Sequence, residues 1–124
     1  MKDKKGLVII NGVEYGPISS MQISVNVEGL KYVIVRGDRA GVFAGYLKSE
    51  VDHGRSVVLI NCRRIWYWSG AASLSQLAVD GTNDSSNCKF PAEVQEIKIT
   101  DVLEIINCTE KARLSIKDVE IWKS

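Results

Sequence analysis

One histidine, two prolines and three cysteines are all that the 124 residues hold of these types, and each scarcity closes off chemistry. His53 lies in the polar turn Val51–Arg55, where an imidazole is ordinarily solvated. Ser–His–Asp and Cys–His mechanisms need a base beside the nucleophile, and the chain offers this single candidate. There is no CxxC, no histidine pair and no HExxH, so a metal site has no ligand set. Neither a Walker-type loop nor GxGxxG occurs. Cys62, Cys88 and Cys108 are odd in number and do not form a secreted disulfide framework. A formal net charge of +1 argues against a general polyanion binder and so disfavours nucleic acid as a partner. No apolar run approaches the roughly 18 residues that cross a bilayer, and no signal-peptide h-region follows M-K-D-K-K-G. The expectation is a reduced, soluble, cytoplasmic chain with no membrane partner, no metal, no cofactor and no catalytic residue. Asp80, Asp84 and Asp101 fall at turns and breaks, where carboxylates serve as turn formers.

What is present is ordinary globular composition, 45% hydrophobic and 25% charged, at a length suited to one core. Leu7–Ile10 is an apolar run followed by the hairpin signal Asn11-Gly12, with Val13–Tyr15 returning to Gly16-Pro17. Met21–Val27 alternates, placing Met21, Ile23, Val25 and Val27 on one face. Residues 1–30 therefore read as an N-terminal β arm or extension, covering a sheet edge or pairing with another subunit, and 31–124 as a single domain. Lys31–Arg36 and Val42–Leu47 read as a hairpin around Gly37–Gly41, which makes Arg36-Gly37-Asp38 a turn and not an adhesion signal. Gly45 inside the second strand marks a bulge or a close backbone approach.

The longest strand runs from Ser56 to about Trp66. Val57–Ile60 is apolar on both faces; beyond it Asn61, Arg63, Ile65 and Tyr67 alternate with Cys62, Arg64, Trp66 and Trp68. Ser69 caps a short helix over Gly70–Val79 that stops at Asp80-Gly81, with Leu74, Leu77 and Ala78 as its core stripe. Thr82–Asn87 reads as a mobile polar loop anchored by Phe90-Pro91. Glu93–Thr100 and Val102–Ile106 read as strands, Asn107 as the cap of a second short helix with Glu110 at its third position, and Val119–Trp122 as a last strand. The fold class is α+β: a small, strongly curved antiparallel sheet or barrel with two short helices.

Recognition chemistry is concentrated in Asn61–Gly81, N-C-R-R-I-W-Y-W-S-G-A-A-S-L-S-Q-L-A-V-D-G. A helix beginning at Ser69 would leave the amides of Ser69, Gly70, Ala71 and Ala72 unpaired, unobstructed and without a neighbouring acid. Arg63 and Arg64 would grip phosphate, Trp66 and Trp68 would stack a base, and Ser73 and Gln76 would add hydrogen bonds. That composite is a ligand-binding site for a small nucleotide-like anion. The competing assignment is structural: aromatics packed at a strand-to-helix junction, an arginine paired or stacked on a ring, and a serine that only caps. Cys62 alternates inward as a small hydrophobe, Cys88 falls in a polar loop, and Cys108 sits at a helix start that would depress its pKa.

Residues 32–47, 61–78 and 108–112, Y-V-I-V-R-G-D-R-A-G-V-F-A-G-Y-L, N-C-R-R-I-W-Y-W-S-G-A-A-S-L-S-Q-L-A and C-T-E-K-A, resemble a family of small phage and prophage proteins of unknown function. No catalytic residue transfers from that likeness. It implies a phage accessory protein in the bacterial cytoplasm, similar in outline to homo-oligomeric sponges that sequester cyclic-nucleotide or ADP-ribose-type immune signals. A protein–protein inhibitor acting on a host factor through the aromatic and arginine surface is the alternative.

Overall fold

The computed structural model describes residues 22–123 and, as backbone alone, the strand residues 2–3, 7–10 and 13–17. Three short strands, β1 (Lys2–Asp3), β2 (Leu7–Ile10) and β3 (Val13–Pro17), form one antiparallel sheet in sequence order. Its β2–β3 pairing sets Ile10 opposite Val13; the Asn11-Gly12 turn itself, like Met21, lies outside the described residues.

The main sheet has five antiparallel strands in the order β7-β6-β5-β4-β8: β4 Tyr32–Gly37, β5 Val42–Val51, β6 Ser56–Arg64, β7 Val94–Ile99 and β8 Val102–Asn107. Two helices, α1 (Leu74–Asp80) and α2 (Glu110–Asp118), complete an α+β domain. The apolar run of β4 suits a central strand, since Tyr32 to Val35 are fully buried with side chains on both faces. On one face Tyr32, Ile34, Ala44 and Tyr46 meet Leu74, Leu77 and Ala78 of α1 and Ala112 and Ile116 of α2. On the other, Val33, Val35, Phe43, Val57, Leu59, Cys62 and Ile99 form a second apolar cluster.

The strongly curved sheet or barrel expected from the sequence is not found: β7 and β8 share no hydrogen-bonded register, so the sheet is open. The two edges do converge at one corner. Four strand spacings would hold flat-sheet edges about 19 Å apart, and the step from Ile99 to Val102 reaches at most about 11 Å. There the Asp101 carboxylate accepts from the backbone N–H of Arg39 (2.6 Å) and Ala40 (3.1 Å), and Val102 N–H donates to the Arg55 carbonyl (3.0 Å). Asp101 is thus a turn former, as its position in the sequence suggested.

Gly45 explains a register shift between β5 and β6. A Cβ there would lie 3.0 Å from Cys62 Cα and 3.1 Å from the Ile60 carbonyl oxygen, so only glycine lets the strands approach. Opposite it, Asn61 takes a left-handed φ of 50°, the extra residue of the bulge. The bulge keeps Arg63 and Ile65 on the helix-covered side while Cys62 faces the second cluster.

Several boundaries move. β5 continues to Val51 and meets a 3-10 turn at Asp52–Gly54, where His53 is exposed at φ 57°. α1 starts at Leu74, capped by Ser73, because Gly70 at φ 82° cannot be helical. α2 is capped by Thr109 and not Asn107; its hydroxyl accepts from Ala112 N–H (3.1 Å) and donates to the Val79 carbonyl (2.6 Å), tying the end of α1 to the start of α2. The expected last strand is reduced to a bridge between Phe90 and Ile121. Among the described residues no helix is long and apolar enough to cross a membrane.

Candidate functional site

Arg63 closes β6 beneath the helices, only 3% exposed. Its Nε donates to the Pro91 carbonyl (2.9 Å), one terminal nitrogen to those of Ile116 and Val119 (both 2.8 Å), and the other to that of Phe90. The guanidinium also lies over the Phe90 ring, 5.5 Å from its centroid. Burial lowers its pKa from the ordinary arginine value, yet it stays a cation. Ile116 and Val119 close α2, so this side chain fixes both that helix end and the segment before β7. A phosphate grip through Arg63 is therefore replaced by a structural staple: the donors that would hold a ligand are spent on carbonyls.

The expected amide cradle is occupied by the chain itself. Ser69 Oγ donates to Asp84 Oδ2 (2.8 Å), and Thr82 Oγ1 donates to the Ser69 carbonyl. A Cβ on Gly70 would lie 2.5 Å from Thr82 Oγ1 and 2.6 Å from the Asp84 nitrogen. Glycine is used here because residues 82–84 lie across it, not because a ligand does. Ala71 packs against the helix-side cluster. Ser73 accepts from Gln76 N–H (3.2 Å), and Gln76 Oε1 accepts from Ala72 N–H (2.7 Å), a reciprocal cap that satisfies two amides. The loop 82–87 is thereby pinned: Asn87 donates to both Asp84 oxygens (2.9 and 3.0 Å), and a 3-10 turn spans Ser85–Asn87. The Ser69 hydroxyl, with Asn87 second, holds the Asp84 carboxyl below its usual range.

The remaining residues stay on the surface. Arg64 is exposed, donates to the Ala40 carbonyl (2.8 Å) and lies 4.4 Å over the buried Phe43 ring. Trp68 is half-buried against the helix-side cluster. Trp66 and Tyr67, by contrast, are 64% and 53% exposed. Their backbone is held in place: Trp66 N–H donates to the Lys89 carbonyl (3.0 Å), and Lys89 N–H donates to that of Tyr67 (2.7 Å). The Lys89 ammonium hangs between two rings, 5.9 Å from the Tyr67 centroid and 5.6 Å from that of Trp122. Ile121, 51% exposed, continues this face. Beside it Ser85, Ser86, Cys88, Glu120, Ile121, Trp122 and Lys123 line a cavity of about 390 Å³.

Lys89, Ile121 and Trp122 carry no local signal in the sequence. They join Tyr67 only through the Tyr67–Lys89 and Phe90–Ile121 bridges, which link segments far apart in the chain. The cysteines do not add reactivity: Cys88 is buried beneath the 82–88 loop, and Cys108, fully buried, has its thiol pushed up to about 12 by desolvation, the reverse of the depression expected at a helix start. Among the described residues no group of three His, Cys, Asp or Glu side chains is placed to hold a metal ion.

A family model described as a domain of unknown function (DUF6948) matches residues 30–116, more than half of the chain. No curated protein and no solved structure matches it.

Proposed function

The chain belongs to the family of domains of unknown function DUF6948, and from that premise we propose that it is a non-catalytic binding module that docks a protein partner through the exposed Trp66 and the neighbouring Tyr67–Lys89–Trp122 face. The observation that carries this reading is the exposure of Trp66 and Tyr67, 64% and 53%, on a backbone ladder that holds both in place. Exposed tryptophan and tyrosine fixed at low conformational cost are the usual anchors of protein interfaces. Lys89, poised between two rings, adds a cation at the centre of the patch. In the phage or prophage setting suggested by the sequence resemblance, the partner would be a host factor.

The test is affinity capture from bacterial lysate with the wild-type chain and with Trp66→Ala/Tyr67→Ala, followed by titration of each captured protein in purified form. One partner whose affinity falls at least tenfold in the double variant, with the circular dichroism spectrum unchanged, supports the reading. Equal affinity for both chains overturns it.

Sequestration of a small nucleotide-derived ligand is the second reading, favoured by the cavity of about 390 Å³ beside Trp122, within the size range of small-molecule sites. It moves the ligand away from Arg63 and Gly70 to Trp122, Ser85, Ser86 and Lys123. A thermal-shift panel of cyclic dinucleotides, cyclic mononucleotides and ADP-ribose derivatives separates the two readings. A shift with one of them that is lost in Trp122→Ala favours the ligand.

A further inference from the structure

We propose that two copies of this chain pair through their β7 strands, joining the two main sheets edge to edge in an antiparallel dimer. β7, Val94–Ile99, is hydrogen-bonded to β6 on one side only. Among the described residues no strand pairs with its other side, and the backbone groups there are available to a further strand. It contains no proline, its pairing with β6 is regular from Ile99 to Glu96, and Val94 is 49% exposed on it. Nothing in its length or shape blunts it as an edge.

The occupant is identified by charge. Glu96 and Lys98 are exposed on one face, while Ile97 and Ile99 face the second apolar cluster on the other. A two-fold axis normal to the sheet keeps each face on its own side, so a residue can only stand opposite one of the same face. Three registers satisfy that rule near the middle of the strand. Centring on Glu96 sets Glu96 against itself, and centring on Lys98 sets Lys98 against itself. Centring on Ile97 sets Glu96 against Lys98 of the second copy, and does so twice. The same register brings the two Ile97 side chains together, so the second apolar cluster continues from one sheet into the next. A second copy therefore satisfies this edge with two unlike-charge pairs, and the like-charge registers on either side penalise slippage. Lys48 now neutralises Glu96 across the same face, at 3.3 Å and largely in solvent, and Glu96 can accept from both lysines.

The test is sedimentation velocity of the purified full chain from low to high micromolar concentration, with Glu96→Lys, Lys98→Glu and the double exchange E96K/K98E. The wild type is expected to self-associate reversibly. Each single reversal replaces two attractive pairs by two repulsive ones and weakens association roughly tenfold; the double exchange restores it. A wild-type chain that stays monomeric throughout, or a dimer indifferent to both single reversals, overturns the proposal. Circular dichroism checks that every variant is folded, and the charge exchange lies on a solvent-facing side where the core is untouched.

Discussion

Replacing Arg63 by methionine keeps an unbranched side chain of similar length and removes every donor. Four carbonyls then lose a donor: those of Phe90 and Ile116 keep a backbone N–H, from Trp122 (3.0 Å) and Val119 (3.3 Å), while among the described residues those of Pro91 and Val119 are left without one. An unsatisfied buried acceptor costs about 1–3 kcal/mol. The guanidinium also carries a desolvation cost that the variant escapes, and this offsets part of the loss. With two acceptors left unpaired, the balance is a destabilisation of about 2–4 kcal/mol. For a chain of this length that lowers Tm by roughly 8–16 °C. Urea unfolding followed by far-ultraviolet circular dichroism measures it, with Arg64→Met as the control one residue away. Arg64 makes one exposed hydrogen bond and one ring contact, so its loss should cost no more than about 1 kcal/mol. Arg63→Lys should recover only part of the deficit, because an ammonium lacks the planar fork that reaches carbonyls on both sides. The reasoning fails if Arg63→Met costs less than about 1 kcal/mol, or if Arg63 and Arg64 behave alike. A residue kept for ligand binding would give that second pattern.

Gly70→Ala should destabilise by about 2–4 kcal/mol, since it combines a positive φ with a Cβ less than 3 Å from Thr82 and Asp84, and urea midpoints report it. Asp84, Asp101 and Glu110 all have folded pKa values held below their ordinary ones, by the Ser69 hydroxyl, the Arg39 amide and the Arg113 guanidinium respectively. Their stabilisation is present above the unfolded carboxylate value near about 4 and disappears as pH falls through the lower folded values; acid unfolding should start there and begin less steeply in Asp84→Asn. With Cys62 and Cys108 raised to about 12 by burial and Cys88 covered by its loop, the folded chain should give almost no reaction with a thiol reagent at pH 8, and three equivalents in denaturant. Trp66→Ala should leave the urea midpoint within about 0.5 kcal/mol of the wild type while removing most of the iodide-quenchable tryptophan fluorescence, because Trp66 is the exposed indole and the other two are half-buried.

The elements were legible wherever the signal was local. Alternation in Glu93–Thr100, the β-branched run of Lys31–Arg36, the stripe Leu74, Leu77, Ala78 and the bulge at Gly45 all depend on neighbours in the chain. The failures are contacts made across it. Ser69 looks like a helix cap because serine before glycine and alanine favours one; Thr82 and Asp84, thirteen and fifteen residues on, claim its polar atoms instead. Ser73, the actual cap, has the Ser–x–x–Gln spacing of a capping box, but the same two side chains also suit hydrogen bonds to a ligand. The openness of the sheet was out of reach for the same reason. Strand count is a local property, and pairing of β7 with β8 is not.

Arg63 and Arg64 show why composition in Asn61–Gly81 points both ways. Anions and helix-end carbonyls ask for the same donors, and a tight glycine turn serves a bound phosphate or a crossing loop equally well. Neighbouring arginines of one motif therefore separate only on where the alternation sends them: Arg63 inward to four carbonyls, Arg64 outward over Phe43. The same parity governs the aromatics. Trp66 follows Arg64 out to solvent, and Tyr67, after the strand has ended, is turned outward by its bridge to Lys89. Burying an exposed tryptophan and tyrosine would return about 25 cal/mol per Å² of apolar surface, and the folded chain leaves that gain unrealised at Trp66 and Tyr67 while a ladder of backbone hydrogen bonds holds their main chain in place. The protein partner proposed for this face would recover that gain, and the Trp66→Ala/Tyr67→Ala variant forfeits it.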